Sequence, residues 1–264
     1  IYYTKKGTGS PILLIHDTLP GASGYEWSKI EDELAIDHTV YTVDLLGCGR
    51  SDKSSITYTN FVYVQMISDF IKKIIGQKTD VIASGFSGSF VTMACHNEKE
   101  LFNKIMLVNP PSLTQLKQMP NRKDRLLKAA LEIPIFGTLV YHMIVSRDNI
   151  NNLFIEKMYY NPFHVDNQMA DAYYEAAHKG GYYTRFLYSS LAAKYININI
   201  CHALKALDNS IYIVEGETEP NGKAVTDDYC ASNPAIEVSV LKETKHLPHV
   251  EAPEAFLEQV KIFF

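Results

Sequence analysis

Short apolar runs recur along this chain with helical patterns between them, and that alternation admits few folds. Pro11-Ile-Leu-Leu-Ile15, Thr39-Val-Tyr-Thr-Val43, Asp80-Val-Ile-Ala83 and Lys104-Ile-Met-Leu-Val108 begin the series, and Ser210-Ile-Tyr-Ile-Val214 and Ile236-Glu-Val-Ser-Val240 continue it. Near-continuous apolarity is what a strand needs when helices cover both faces of a parallel sheet. Between the second and third runs, Tyr63, Ile67, Phe70, Ile71 and Ile74 repeat at helical spacing, and Gly76 follows as a stop. The alternation predicts right-handed crossovers and a doubly wound, mostly parallel α/β sheet. Residues 113–198 lack convincing strands. They are predicted to form a helical cap inserted into a core made of residues 1–112 and 199–264.

A chain of 264 residues with 46% hydrophobic content can furnish the core of one large domain. The net charge of −5 and the absence of long basic runs argue against nucleic acid as a partner. The longest apolar-rich stretch, Leu131 to Val145, is interrupted by Pro134 and Gly137 and is too short for a membrane span. Cys48, Cys95, Cys201 and Cys230 lie far apart, which suits free thiols in a reducing compartment; a cytoplasmic protein is expected.

The run Asp80 to Ala83 leads into Ser84-Gly85-Phe86-Ser87-Gly88-Ser89, and then into the helical stretch Val91 to His96. Strand, tight small-residue turn and helix are the context of a nucleophile elbow. With Gly85 and Ser89 two residues to either side, Ser87 is the expected nucleophile. The Gly88 N–H at the helix start is then an expected oxyanion donor. An ordinary strand–helix turn would look the same.

His246 follows the last apolar run, where it can reach back over the strand ends as general base and then general acid. His249 competes for that place, but sits nearer the next helix and reads as a rim or packing residue. The His-x-x-His spacing lacks a third ligand, so no metal is expected. After the run ending at Val214, Glu215, Glu217 and Glu219 crowd one turn. Glu219, beyond Gly216 and before Pro220, is the expected acid that orients His246.

Taken together these segments resemble the α/β-hydrolase superfamily, in its capped branch. Leu14-Ile-His16-Asp17-Thr18-Leu-Pro20-Gly21 is similar to the family's oxyanion loop, and Asp44-Leu-Leu-Gly47-Cys-Gly49-Arg50-Ser51-Asp52 to its Asp-x-x-Gly-x-Gly-x-Ser turn. Gly85 to Ser89, Gly216 to Pro220 and His246 to Pro253 complete the order. The resemblance implies a Ser87–His246–Glu219 triad, with the Thr18 N–H as the second oxyanion donor. Two departures stand out: Glu219 replaces the usual Asp, and Asp17 replaces a Gly. An ionised Asp17 aimed at the site would oppose a developing negative charge. The expectation is that it turns away and accepts loop N–H bonds.

A serine at the elbow disfavours the haloalkane dehalogenase and epoxide hydrolase members of the branch, whose nucleophile is Asp. An acyl-enzyme route on a small carboxylic ester, thioester or lactone is expected, with no cofactor. A carbon–carbon bond hydrolase or a lactonase would share every motif, and perhydrolysis on the same site is a further alternative. A binding or signalling protein with weak catalysis is the competing class, motivated by Asp17. Nine of the 17 tyrosines fall in the cap, Tyr141 and Tyr183 among them. These two, with His16, Asp17 and Phe86, are expected to line a small-molecule pocket.

Overall fold

The computed structural model describes residues 1–264. Seven strands form one sheet: β1 (Tyr3–Lys6), β2 (Ser10–Ile15), β3 (His38–Val43), β4 (Thr79–Ser84), β5 (Phe102–Val108), β6 (Ile211–Gly216) and β7 (Glu237–Leu241). Their spatial order is β1-β3-β2-β4-β5-β6-β7, and every pairing is parallel except β1 with β3. Six strands coincide with the apolar runs. The additional β1 is a short, mostly exposed edge strand with two lysines, so it carries no apolar signature.

Side-chain alternation divides the core between the two faces. Leu13, Ile15, Val81, Ala83, Ile105 and Leu107 pack into one cluster, and Ile12, Leu14, Ile82, Met106 and Val108 into the other. The first face is covered by α2 (Asn60–Phe70), α3 (Ser87–Asn97), α10 (Cys201–Ala206) and α11 (Gly222–Ser232). In α2 the spaced residues Tyr63, Ile67 and Phe70 are buried, and Gly76 ends the following π-turn at φ +74°. The second face carries Trp27, the short α1 (Glu31–Leu34) and the terminal α13 (Pro253–Phe263), after the single-turn α12 (Pro248–Glu251).

Between β5 and β6 the chain forms α4 (Leu113–Leu116), α5 (Arg122–Glu132), α6 (Phe136–Ile144), α7 (Arg147–Leu153), α8 (Asn167–His178) and α9 (Thr184–Ala192). Much of this insert has its own core of Tyr141, Ile150, Phe154, Met169 and Tyr173, which docks on Ala22, Leu247 and Val250. Its two ends behave differently. Leu113, Leu116, Leu187 and Ile196 join the cluster on the sheet. No single helix is long and apolar enough to cross a membrane. All four cysteines are free thiols.

Candidate active site

Four chain segments meet at the carboxyl ends of β2, β4, β6 and β7, where ligands of open α/β sheets bind. The β2 end continues into His16-Asp17-Thr18. The Leu45 N–H donates to His16 Nε2 at 3.0 Å, so the opposite ring nitrogen, Nδ1, carries the proton and donates to the Asp17 carbonyl at 2.6 Å. His16 is fully buried and holds this loop from behind. It does not line the cleft, contrary to expectation.

At the end of β4 the chain turns sharply into α3, and the left-handed residue is Gly85, at φ +53°. Ser87 is already inside α3 and fully buried. Its hydroxyl donates to the His16 carbonyl at 2.6 Å and lies 3.2 Å from the Thr18 hydroxyl. The expectation that Ser87 meets His246 is therefore corrected, because its hydroxyl points into the protein and braces the β2 loop. The Gly88 N–H is also occupied, donating to the Gly85 carbonyl at 3.1 Å. The N–H directed at the site from this turn belongs instead to Phe86, the residue after the left-handed one.

That N–H donates to Asp17 Oδ1 at 2.8 Å, and the Thr18 N–H donates to the same oxygen at 2.6 Å. Asp17 thus accepts loop N–H bonds as expected, but it does not turn away. Its other oxygen, Oδ2, lies 3.4 Å from His246 Nε2. A Cβ built on Gly85 would overlap the carboxylate carbon and both oxygens of Asp17. The side chain of Asp17 fills the space that any side chain at the turn would need.

On the far side of the imidazole, His246 Nδ1 is 3.2 Å from Glu219 Oε1. The neighbouring carboxylates go elsewhere: Glu215 accepts from the Thr226 hydroxyl at 3.0 Å, and Glu217 from the Glu243 N–H at 3.0 Å. Burial alone would depress the His246 pKa, but its hydrogen bonds to Asp17 and Glu219 and their charges reverse the sign and push it up to about 10. The imidazole is a cation at neutral pH, flanked by two carboxylates. Burial raises Glu215 above the usual carboxylate range.

Asn109 is a residue that the motif reading passes over. It directly follows β5 at φ +44°, and its side-chain amide donates to the carbonyls of Lys245 at 2.8 Å and His246 at 2.9 Å. Its Oδ1 accepts the Gly216 N–H at 3.0 Å, tying the His246 loop to the turn that carries Glu219. The available signal is a polar residue at the very end of an apolar strand, just before Pro110 and Pro111.

A cavity of about 520 Å³ opens over these groups; Asp17, Gly85, Phe86, Glu219 and His246 are among its lining residues. Leu153 and Met158 reach it from the insert. Tyr141 and Tyr183 do not line it. The Tyr141 hydroxyl is buried on the Ala177 carbonyl at 2.7 Å, and Tyr183 packs against Tyr182 at the surface. His249 is fully buried, stacked on Trp27 with ring centroids 4.3 Å apart and 3.2 Å from Glu26 Oε1, so the two histidines of His-x-x-His face different groups.

A mostly parallel sheet with a sharp strand–helix turn at β4, an acid after β6 and a histidine after β7 defines the α/β-hydrolase class of fold. The chain belongs to the alpha/beta hydrolase family, whose model matches residues 12–259. Over 113 residues it is 29% identical to the 2-hydroxy-6-oxo-6-(2'-aminophenyl)hexa-2,4-dienoic acid hydrolase of Metapseudomonas resinovorans, covering 42% of this chain and 39% of that protein. Over 109 residues it is 24% identical to a soluble epoxide hydrolase of Corynebacterium sp., covering 41% of this chain and 37% of the relative. The matched stretch spans about two-fifths of the length of either relative. In fold it is similar to a meta-cleavage product hydrolase from Pseudomonas fluorescens, with a TM-score of 0.78 at 20% identity, covering 99% of this chain and 93% of that one.

Proposed function

We propose that the chain is a hydrolase of a small, uncharged molecule bound in the cleft between the sheet and the helical insert. The observation that carries this reading is the line Glu219–His246–Asp17, with contacts of 3.2 and 3.4 Å, at the wall of the cavity. Beside it, two backbone N–H groups converge on one point. Glu219 orients the imidazole and balances its charge, His246 carries the proton, and the Thr18 and Phe86 N–H groups stabilise an oxyanion. Asp17, Glu215 and Glu219 line the cavity against only His246 and Lys157 as cationic groups, which disfavours an anionic substrate. An acyl-enzyme on Ser87, the route expected from the sequence, lacks support, since that hydroxyl is sealed beneath the loop.

The test is turnover of a panel of p-nitrophenyl esters, lactones, dienoate ketones, epoxides and haloalkanes by the whole chain. Replacing His246 with Gln should lower turnover of any accepted substrate by about 10²-fold or more, and Glu219→Gln should also lower it. One observation favours a second reading, a binding protein without turnover: Asp17 already occupies both oxyanion donors. Ligand-induced stabilisation with no turnover of any panel member would favour that reading over hydrolysis.

A further inference from the structure

We propose that the nucleophile of this protein is the Asp17 carboxylate, presented from the loop after β2 rather than from the turn after β4, and that it attacks an electrophilic saturated carbon. This rests on the hydrolase reading above and names its chemistry.

The elbow itself has nothing to attack with. The left-handed position at the β4–α3 turn is Gly85, and the N–H of the following residue points at the site, so Gly85 holds the place from which a nucleophile would project. That volume is taken by the carboxylate of Asp17. The two sequence departures fit each other in space: a side chain missing from one loop is replaced by one reaching in from another.

The two oxygens of Asp17 are differently placed. Oδ1 is held by two N–H groups, whereas Oδ2 has His246 alone at 3.4 Å, and the residue is one of those that line the cavity. The loop beneath is fixed twice over, by His16 on the Asp17 carbonyl and by Ser87 on the His16 carbonyl. The nucleophile is thus held in place before substrate arrives.

The steps balance without an external oxidant or cofactor. Oδ2 forms a bond to the substrate carbon as the carbon–leaving-group bond breaks, and the pair departs with the leaving group. A halide leaves as the anion; an epoxide oxygen takes the proton of the His246 imidazolium. Asp17 is now a neutral ester, so His246 has lost one of its two anionic partners and its pKa falls. After an epoxide has opened the imidazole is already neutral; after a halide has left, the imidazolium gives its proton to solvent. The neutral imidazole then accepts a proton from water, which adds to the Asp17 carboxyl carbon. The resulting oxyanion develops on Oδ1, where the Thr18 and Phe86 N–H groups already point. Collapse releases the alcohol, which takes the proton from His246, and Asp17 is regenerated with one oxygen from water. A carboxylate attacking an acyl carbon would instead give a mixed anhydride, so an alkyl electrophile is the substrate class this nucleophile suits. Leu19, Phe86, Leu153, Met158 and Val225 line an apolar space for its carbon skeleton.

The test uses phenyl glycidyl ether and 1-bromohexane as probes. His246→Gln should form the ester with 1-bromohexane, whose leaving group needs no proton, but hydrolyse it slowly, and should react poorly with phenyl glycidyl ether, whose oxygen takes its proton from His246. Intact mass should then rise by one probe residue, and fragmentation of the tryptic peptide Gly7–Lys29 should place it on Asp17. Wild-type protein turning over either probe in heavy-oxygen water should acquire one heavy oxygen at Asp17. Asp17→Asn, with its melting temperature measured to show that it folds, should give neither adduct nor label. Turnover that depends on His246 but leaves Asp17 unlabelled, or that survives in Asp17→Asn, overturns the nucleophile and leaves the hydrolase standing. An adduct on Asp17 that never turns over in wild type supports the nucleophile and sinks the hydrolase. No adduct and no turnover with either probe overturns the proposal.

Discussion

The carboxylate of Asp17 lies directly over Gly85, where a side chain on that glycine would have to be. The relationship joins the loop after β2 to the turn after β4, and it decides which groups face the cleft. Ser87 is displaced from the reaction space, and His246 gains a second carboxylate partner.

A fluorophosphonate probe tests the buried serine directly. Ser87 is fully buried and hydrogen-bonded to the His16 carbonyl. Folded wild-type protein should remain unlabelled at Ser87, as judged by peptide mass spectrometry. Ser87→Ala should keep turnover within about tenfold of wild type, since it removes one buried hydrogen bond worth about 1 kcal/mol that supports the loop.

Exchanging the two positions should move the nucleophile. Gly85→Ser alone forces a side chain into the Asp17 carboxylate at φ +53° and should destabilise the fold by about 1–3 kcal/mol, read from denaturant unfolding. With Asp17→Gly added, the space is free, and the new hydroxyl would lie beside His246 and the Phe86 N–H. The double variant should gain fluorophosphonate labelling at position 85, together with p-nitrophenyl ester hydrolysis.

His246 should make stability pH-dependent. Its folded pKa is pushed up to about 10 from an ordinary 6.5, the partners facing it being Asp17 and Glu219. The folded state therefore holds a proton that the unfolded chain releases between those values. The stabilisation is fully present below about 6.5 and is lost as pH rises through about 10. Thermal melts of wild type and His246→Gln should differ most below about pH 6.5 and converge as pH rises towards about 10 or above. Asp17→Asn should lower the His246 pKa in an NMR titration, because one of the two opposing charges is gone.

Asn109→Ala should impair the site by loosening the loop that carries His246. It removes three hydrogen bonds, one buried and two partly buried, that join the His246 loop to the Glu219 turn. At roughly 1 kcal/mol each, with carbonyls left unpaired, the cost should be about 2–4 kcal/mol in chemical denaturation. Because His246 is positioned less well, kcat should fall more than KM changes.

Sequence alone determined which segments form most of the sheet and that it is mostly parallel. Strands covered on both faces must be apolar almost throughout, so β2 to β6 are visible as runs; β7, a mostly exposed edge strand, shows as alternating apolar residues, and the turns that follow β6 and β7 carry Glu219 and His246. Strand β1 was invisible, because an exposed edge imposes no such demand on its residues. Only the tertiary structure decided the register of the elbow. In Ser84-Gly85-Phe86-Ser87-Gly88-Ser89 small residues stand at nearly every position, so composition fits a turn centred on either Gly85 or Ser87. Backbone dihedrals put the left-handed residue at Gly85. The carboxylate that fills the gap comes from 68 positions earlier, and such a size exchange between distant loops appears only once the strands lie side by side.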